Sequence, residues 1–155
     1  MNKIKCILAS QNSQSTLYIS NLALNINLQD KWDNIKSNSV GSFNKVFIKI
    51  KLEDDNNIYY ILDNAFITYL NDEIKISYRG ACRKYRQVAK TNEFIIQTEK
   101  LLRQQEERLK YLNACEQLNV SNIDKIEIYK LRNEIFINKA IVLFNLNKEE
   151  TSCEK

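Results

Sequence analysis

The sequence predicts an α+β chain: an N-terminal antiparallel β sandwich or barrel, then a C-terminal antiparallel two-helix hairpin. Three observations predict it. Apolar residues alternate with polar ones through most of the first 78 positions. Alternation stops after that point, and apolar residues recur every seven positions instead. Two short polar pairs, Asp63-Asn64 and Asn71-Asp72, separate apolar runs in the manner of tight hairpins. Period two puts one face of a strand in a core and the other in water, whereas a seven-residue repeat draws one stripe along a helix.

The expected strands come in order. In 3–8, Ile4, Cys6 and Leu8 share a face. In 22–28, Leu22, Leu24, Ile26 and Leu28 do so. In 45–52, Val46, Ile48, Ile50 and Leu52 alternate with Lys45, Phe47, Lys49 and Lys51, which are assigned to the wet face. Three short strands follow at 58–62, 65–70 and 73–78, with residues 53–57, 63–64 and 71–72 as turns. Asn and Asp tolerate the positive φ that such turns require, which suits a chain with two glycines and no proline. Residues 29–44 read as a loop.

From 83 to 112 no breaker intervenes, and Val88, Ile95, Leu102 and Leu109 repeat at seven, with Leu112 completing the last turn. One long helix is expected there. Residues 121–124 (Ser-Asn-Ile-Asp) fit a capping box. They open a second helix marked by Ile128, Leu131, Ile135 and Val142, and widened by Ile137, Ile141 and Phe144. The domain boundaries that follow are 1–80 for the β domain, 81–148 for the helical hairpin and 149–155 for a polar tail.

Composition limits the chemistry. Histidine is absent, which removes the usual general base and the commonest metal ligand. Cys6, Cys82, Cys115 and Cys153 form no Cys-x-x-Cys pair, so a zinc site is not expected. No phosphate loop can be built from Gly41 and Gly80 alone. The expectation is a non-enzymatic chain with no cofactor and no metal. No signal peptide is legible and no 18-residue apolar run exists, so a cytosolic protein with reduced thiols is expected.

Charge is uneven. Residues 1–78 carry 8 basic and 8 acidic side chains, so the whole net charge of +4 comes from the second half. Much of it is local: Arg79, Arg83, Lys84, Arg86 and Lys90 lie together with no acid among them. These five are the candidate partner-binding residues, directed at an acidic protein surface or at nucleic-acid phosphates. If they began a helix they would oppose its dipole, which favours a partner or neighbouring acids.

The passage IYYILDNAFITYLNDEIKISYRGAC at 58–82 resembles the end of the β domain in epsilon subunits of F-type ATP synthases. An apolar strand, Phe66, the turn Asn71-Asp72-Glu73, the strand Ile74-Lys75-Ile76 and Ala81 stand where that family has equivalents. The Glu-Glu-Arg-Leu stretch at 106–109 and the second helix are similar in length and placement. The family's Gly-, His- and Pro-containing loop has no counterpart here beyond residues 39–42, and no ATP-binding motif is carried over. The resemblance implies a non-catalytic central-stalk subunit of a rotary ATPase. It would meet a gamma-like stalk subunit, the catalytic alpha and beta subunits and the membrane ring, in the cytoplasm at the inner face of the cell membrane. The helices would regulate ATP hydrolysis, and Arg83, Lys84, Arg86 and Lys90 would meet acidic surface on the catalytic subunits. Two other readings stand beside it: a small nucleic-acid-binding protein using residues 79–90, and a coiled-coil module formed by 83–148.

Overall fold

A computed structural model describes residues 3–119 and 125–149. The chain divides into two compact units, one running to Arg86 and rejoined from Lys148, the other spanning Gln87–Asn147. The first unit contains β1 (Ile4–Ala9), β2 (Gln14–Asn25), β3 (Asp33–Asn34), β4 (Ser39–Leu52), β5 (Asn57–Leu70), β6 (Glu73–Tyr78) and most of β7 (Cys82–Gln87). The second contains α1 (Glu93–Gln117), α2 (Lys125–Phe144) and the start of β8 (Leu146–Lys148). The α+β class and the order of β domain then helix pair are as the sequence predicts.

Five strands close into a barrel. β1 pairs with β2, β2 with β4, β4 with β5 and β5 with β6, each antiparallel. β6 then returns to β1 in parallel, with Cys6 opposite Ile74 and Leu8 opposite Ile76. The parallel seam follows from parity: five strands that alternate in direction leave the first and last pointing the same way. Closure removes the open edges that a flat meander would expose. Cys6, Ile19, Val46, Ile48, Ile50, Leu62, Ile74 and Ile76 fill the interior, each fully buried.

Two irregularities keep the inward face inward. Ile19 and Leu22 both point to the core although they are three residues apart, and the β2–β4 register shifts between Ile19 and Asn21. Ser20 occupies this bulge, its hydroxyl donating to the Lys51 and Leu52 carbonyls at 3.1 and 3.3 Å. A bulge inserts the odd residue that the alternation lacks. Leu62 and Ala65 present the same three-residue step. Asn64, at φ 47°, absorbs it.

The pair Asp63-Asn64 is therefore not the hairpin the sequence suggests. β5 runs unbroken from Asn57 to Leu70 and changes partner at this corner, from β7 at Tyr59–Leu62 to β6 at Ala65–Leu70. Asn71-Asp72 is a hairpin as expected, with φ of 51° and 59° at the two residues. Residues 29–44 are not all loop, since β3 edges β2 and β4 already begins at Ser39. β2 begins at Gln14, eight residues before the expected strand, and ends at Asn25, which bonds both the N–H and the carbonyl of Gln29.

The largest departure lies at 82–92. Cys82–Gln87 is strand β7, not helix, so the sheet extends past residue 80. Its Cys82–Tyr85 stretch extends the pairing of β5, and Tyr85 is buried. The helix starts only at Glu93. Asn92 caps it by accepting the Phe94 N–H at 3.0 Å, and Glu93 suits the positive end of its dipole. Val88 thus lies outside the helix.

In α1, Ile95, Thr98, Leu102, Gln105 and Leu112 are buried, an alternating three-and-four spacing along one seam. Gln105 sits in that seam, donating to Glu134 and accepting from Asn138 of α2, both at 2.8 Å. Arg108–Glu127 and Lys139–Glu106 pairs flank it, in the order that antiparallel helices give. A buried amide with partners on one helix face only favours one register over its neighbours. The expected capping box at 121–124 lies outside the described residues, as does the tail beyond Glu149.

Short β8 was not expected. In the second unit the Val88 N–H donates to the Asn145 carbonyl at 2.8 Å, and in the first the Glu149 N–H donates to the Lys84 carbonyl at 3.0 Å. Cys82 is disulfide-bonded, which departs from the expectation of reduced thiols.

Burial pushes the Cys6 thiol and the Tyr60 phenol up to about 12, and raises Tyr59 and Tyr85 as well. The neutral forms are the ones the fold accommodates. Their stabilisation is complete below the unfolded values, about 9 for the thiol and 10 for the phenols, and is lost as pH rises toward the folded values. Denaturant titrations should therefore show the midpoint falling between about pH 9 and pH 12. A flat midpoint over that window would contradict the burial of these groups.

Candidate functional site

Of the five cations expected to act together, Arg83, Lys84 and Arg86 lie on β7, Arg79 precedes it and Lys90 follows it. Neighbouring residues on a strand point to opposite faces. Arg83 therefore shares a face with Tyr85, and Lys84 shares the other with Arg86. Arg83 reaches Asp63 at 3.5 Å, and Lys84 reaches Glu149 at 2.9 Å. Both are largely buried side chains tied within their own unit. Arg79, Arg86 and Lys90 are exposed and have no carboxylate partner among the described residues. Neighbouring acids thus meet two of the five, Arg83 and Lys84.

Arg79 and Arg83 meet at a cleft of about 540 Å³ on the first unit. Its walls are the β1–β2 turn, at Ser10–Asn12, and the β6–β7 link. Lys148 of β8 joins them. Ser10 shapes the turn: its N–H donates to the Ser13 carbonyl at 2.8 Å, and its Oγ accepts the Ser13 N–H at 3.2 Å. Gly80 shapes the link. Its φ of 109° is one that side-chain-bearing residues rarely adopt, and a Cβ there would stand 3.3 Å from that of Asp63. Glycine therefore lets the link lie close to Asp63, with Arg79 on one side and Arg83 on the other.

A second cleft of about 430 Å³ shares Ser10, Gln11, Tyr78 and Arg79 with the first and adds Lys75 and the exposed ring of Phe66. Among the described residues, no aspartate or glutamate lines either cleft. Asp63 binds both Arg83 and Lys45, so one carboxylate answers two cations.

Ser10–Asn12, Lys75 and Lys148 were missed in the sequence because they are scattered over three elements. The only local signal was the polar run at 10–16 between two apolar stretches. Among the described residues, no group of three or more Cys, Asp or Glu could hold a metal ion. No described helix is long and apolar enough to cross a membrane.

A family model described as the UU051 N-terminal domain matches residues 3–82, which is 80 of the 155 positions. The chain belongs to the UU051 family. No curated protein sequence matches it. The UU051 match takes in all five barrel strands and ends at the first residue of β7. Ser10, Arg79 and Gly80 therefore fall inside the matched UU051 domain, whereas Arg83, Lys84, Arg86, Lys90 and Lys148 lie beyond it.

Proposed function

We propose that this UU051 protein is a non-catalytic central-stalk subunit of an F-type or F-type-like rotary ATPase. The observation that carries this reading is the passage at 58–82. It resembles the end of the β domain in epsilon subunits, and it occupies β5, the Asn71-Asp72 hairpin, β6 and the entry to β7. The order of a closed β unit followed by an antiparallel helix pair supports the same reading.

On this reading the barrel unit binds a gamma-like subunit and meets the membrane ring. The helices face the catalytic subunits and bias ATP hydrolysis. The complex sits in the cytoplasm, peripheral at the inner face of the cell membrane. Exposed Arg86 and Lys90 are the cations left to meet an acidic surface, because Arg83 and Lys84 already have internal partners. Rim charges of this kind act mainly on association rate and salt dependence.

The test is purification of the native complex through a tag on this chain. Gamma-like and catalytic ATPase subunits should be recovered, and the double variant Arg86→Glu, Lys90→Glu should lower their yield more at low salt than at high salt. Recovery of nucleic acid or of self-oligomers alone, with no ATPase subunit, would overturn the stalk reading.

A further inference from the structure

The clefts at the end of the barrel carry a second, independent reading. We propose that they bind a phosphorylated small molecule, with its phosphate held by Arg79 and Lys148 beside the Asp63-paired Arg83, and its organic part lying along Phe66.

Charge comes first. Arg79, Arg83 and Lys148 line the first cleft, and Lys75 stands in the second beside Arg79. Among the described residues no carboxylate lines either wall, and Arg79, Lys75 and Lys148 have no carboxylate partner. Glu149, next along the chain, is occupied by Lys84 at 2.9 Å. A solvated basic face is ordinarily interspersed with acids, whereas a concave wall of one sign concentrates field and draws in an anion.

Geometry comes second. Arg83 is held by Asp63, so one guanidinium is fixed while the exposed Arg79 remains free to close on a ligand. Guanidinium groups match phosphate oxygens through paired N–H donors, and amide or hydroxyl groups such as Ser10 and Asn12 can satisfy the rest. Gly80 lines the same cleft, and a Cβ there would crowd the Asp63 side chain that holds Arg83.

Size and polarity come third. About 540 Å³ is a small-ligand volume. Phe66 is 47 % exposed on the adjoining wall and offers a flat apolar surface that an inorganic ion would not use. A ligand that carries both phosphate and a planar or apolar group uses both clefts.

Calorimetric titration of the full chain with ATP and with inorganic pyrophosphate tests this directly. Both probes should bind saturably at low salt, and ATP should bind more tightly. Arg79→Glu should weaken both by roughly tenfold or more, the loss of a charge-assisted contact. Arg79→Lys should restore most of the affinity. Phe66→Ala should weaken ATP and leave pyrophosphate unchanged. Arg79 is exposed, so thermal unfolding of its variants should match the parent and exclude a folding defect. Absence of saturable binding by either probe, or equal binding by Arg79→Glu, would overturn the proposal. So would capture by phosphatidylserine vesicles or by an RNA oligonucleotide with no competition from ATP. None of these outcomes depends on ATPase subunits, so the stalk reading can fail while this one stands.

Discussion

Phe47→Ala should destabilise the first unit by about 3–5 kcal/mol, the usual cost of emptying a buried aromatic site. The side chain is fully buried, yet it does not belong to the barrel interior. Val46 and Ile48 on either side face inward, so Phe47 faces out. There it meets Trp32, with ring centroids 4.9 Å apart, and Tyr59, at 5.9 Å and nearly stacked. Lys49, two residues on, lies over the Trp32 ring at 4.6 Å. Burial lowers the Lys49 pKa, with the charge of Lys51 adding to the effect.

Truncating Phe47 removes the surface on which Trp32 rests. Because Trp32 is the sole tryptophan, its fluorescence reports this site without ambiguity. The emission should shift to the red in the native state, and the denaturant midpoint should fall. Phe47→Leu keeps much of the volume and should cost about 1.5 kcal/mol or less. A midpoint for Phe47→Ala within about 0.5 kcal/mol of the parent, the range of an ordinary surface change, would show that this second apolar layer does not hold.

Ile76→Asp should abolish cooperative folding of the barrel near neutral pH. Ile76 is fully buried on β6 and lies opposite Leu8 across the parallel seam. Loss of the side chain alone costs about 2–5 kcal/mol. A carboxylate at that position would also be desolvated, which raises its pKa by as much as about 3–5 units. One unit is worth about 1.4 kcal/mol, so the two effects together reach the whole stability of a typical domain, about 5–15 kcal/mol.

The sign of the pH dependence follows. A raised folded pKa means that the ionic penalty is absent below the unfolded value, about 4, and grows as pH rises toward the folded one. The variant should therefore recover structure on acidification. Lys75→Asp, one residue away and exposed, should fold normally at every pH in the window. Circular dichroism against pH separates the two. Normal folding of Ile76→Asp at neutral pH would contradict the closed barrel.

These two variants also mark how far sequence could be read. Ile76 was legible as a core position because its strand alternates regularly. Phe47 was assigned to the wet face by the same alternation, since Lys45, Lys49 and Lys51 share its parity. The alternation gave the correct side of the strand. It did not reveal that Trp32, fifteen positions earlier, covers that side. Strand β7 was misread as helix because Cys82–Gln87 holds one apolar anchor, Tyr85, and its remaining signal is supplied by pairing with β5. The candidate cations were found as a sequence cluster. Only the partners Asp63 and Glu149 divided them into two that are tied and three with no carboxylate partner among the described residues.

By itself the sequence determined the elements whose signal is local: the strands with strict alternation, the Asn71-Asp72 hairpin, and two helices drawn by apolar repeats. Each rests on backbone periodicity or on positive φ tolerated by a side chain, and both act within a few residues. The tertiary structure alone decided the parallel closure of β1 on β6, the extension of the sheet through β7 and β8, and the burial of Phe47. It also assembled the clefts, from Ser10, Arg79, Arg83 and Lys148. These depend on segments far apart in the chain, and periodicity specifies which way a side chain points but not what it meets there.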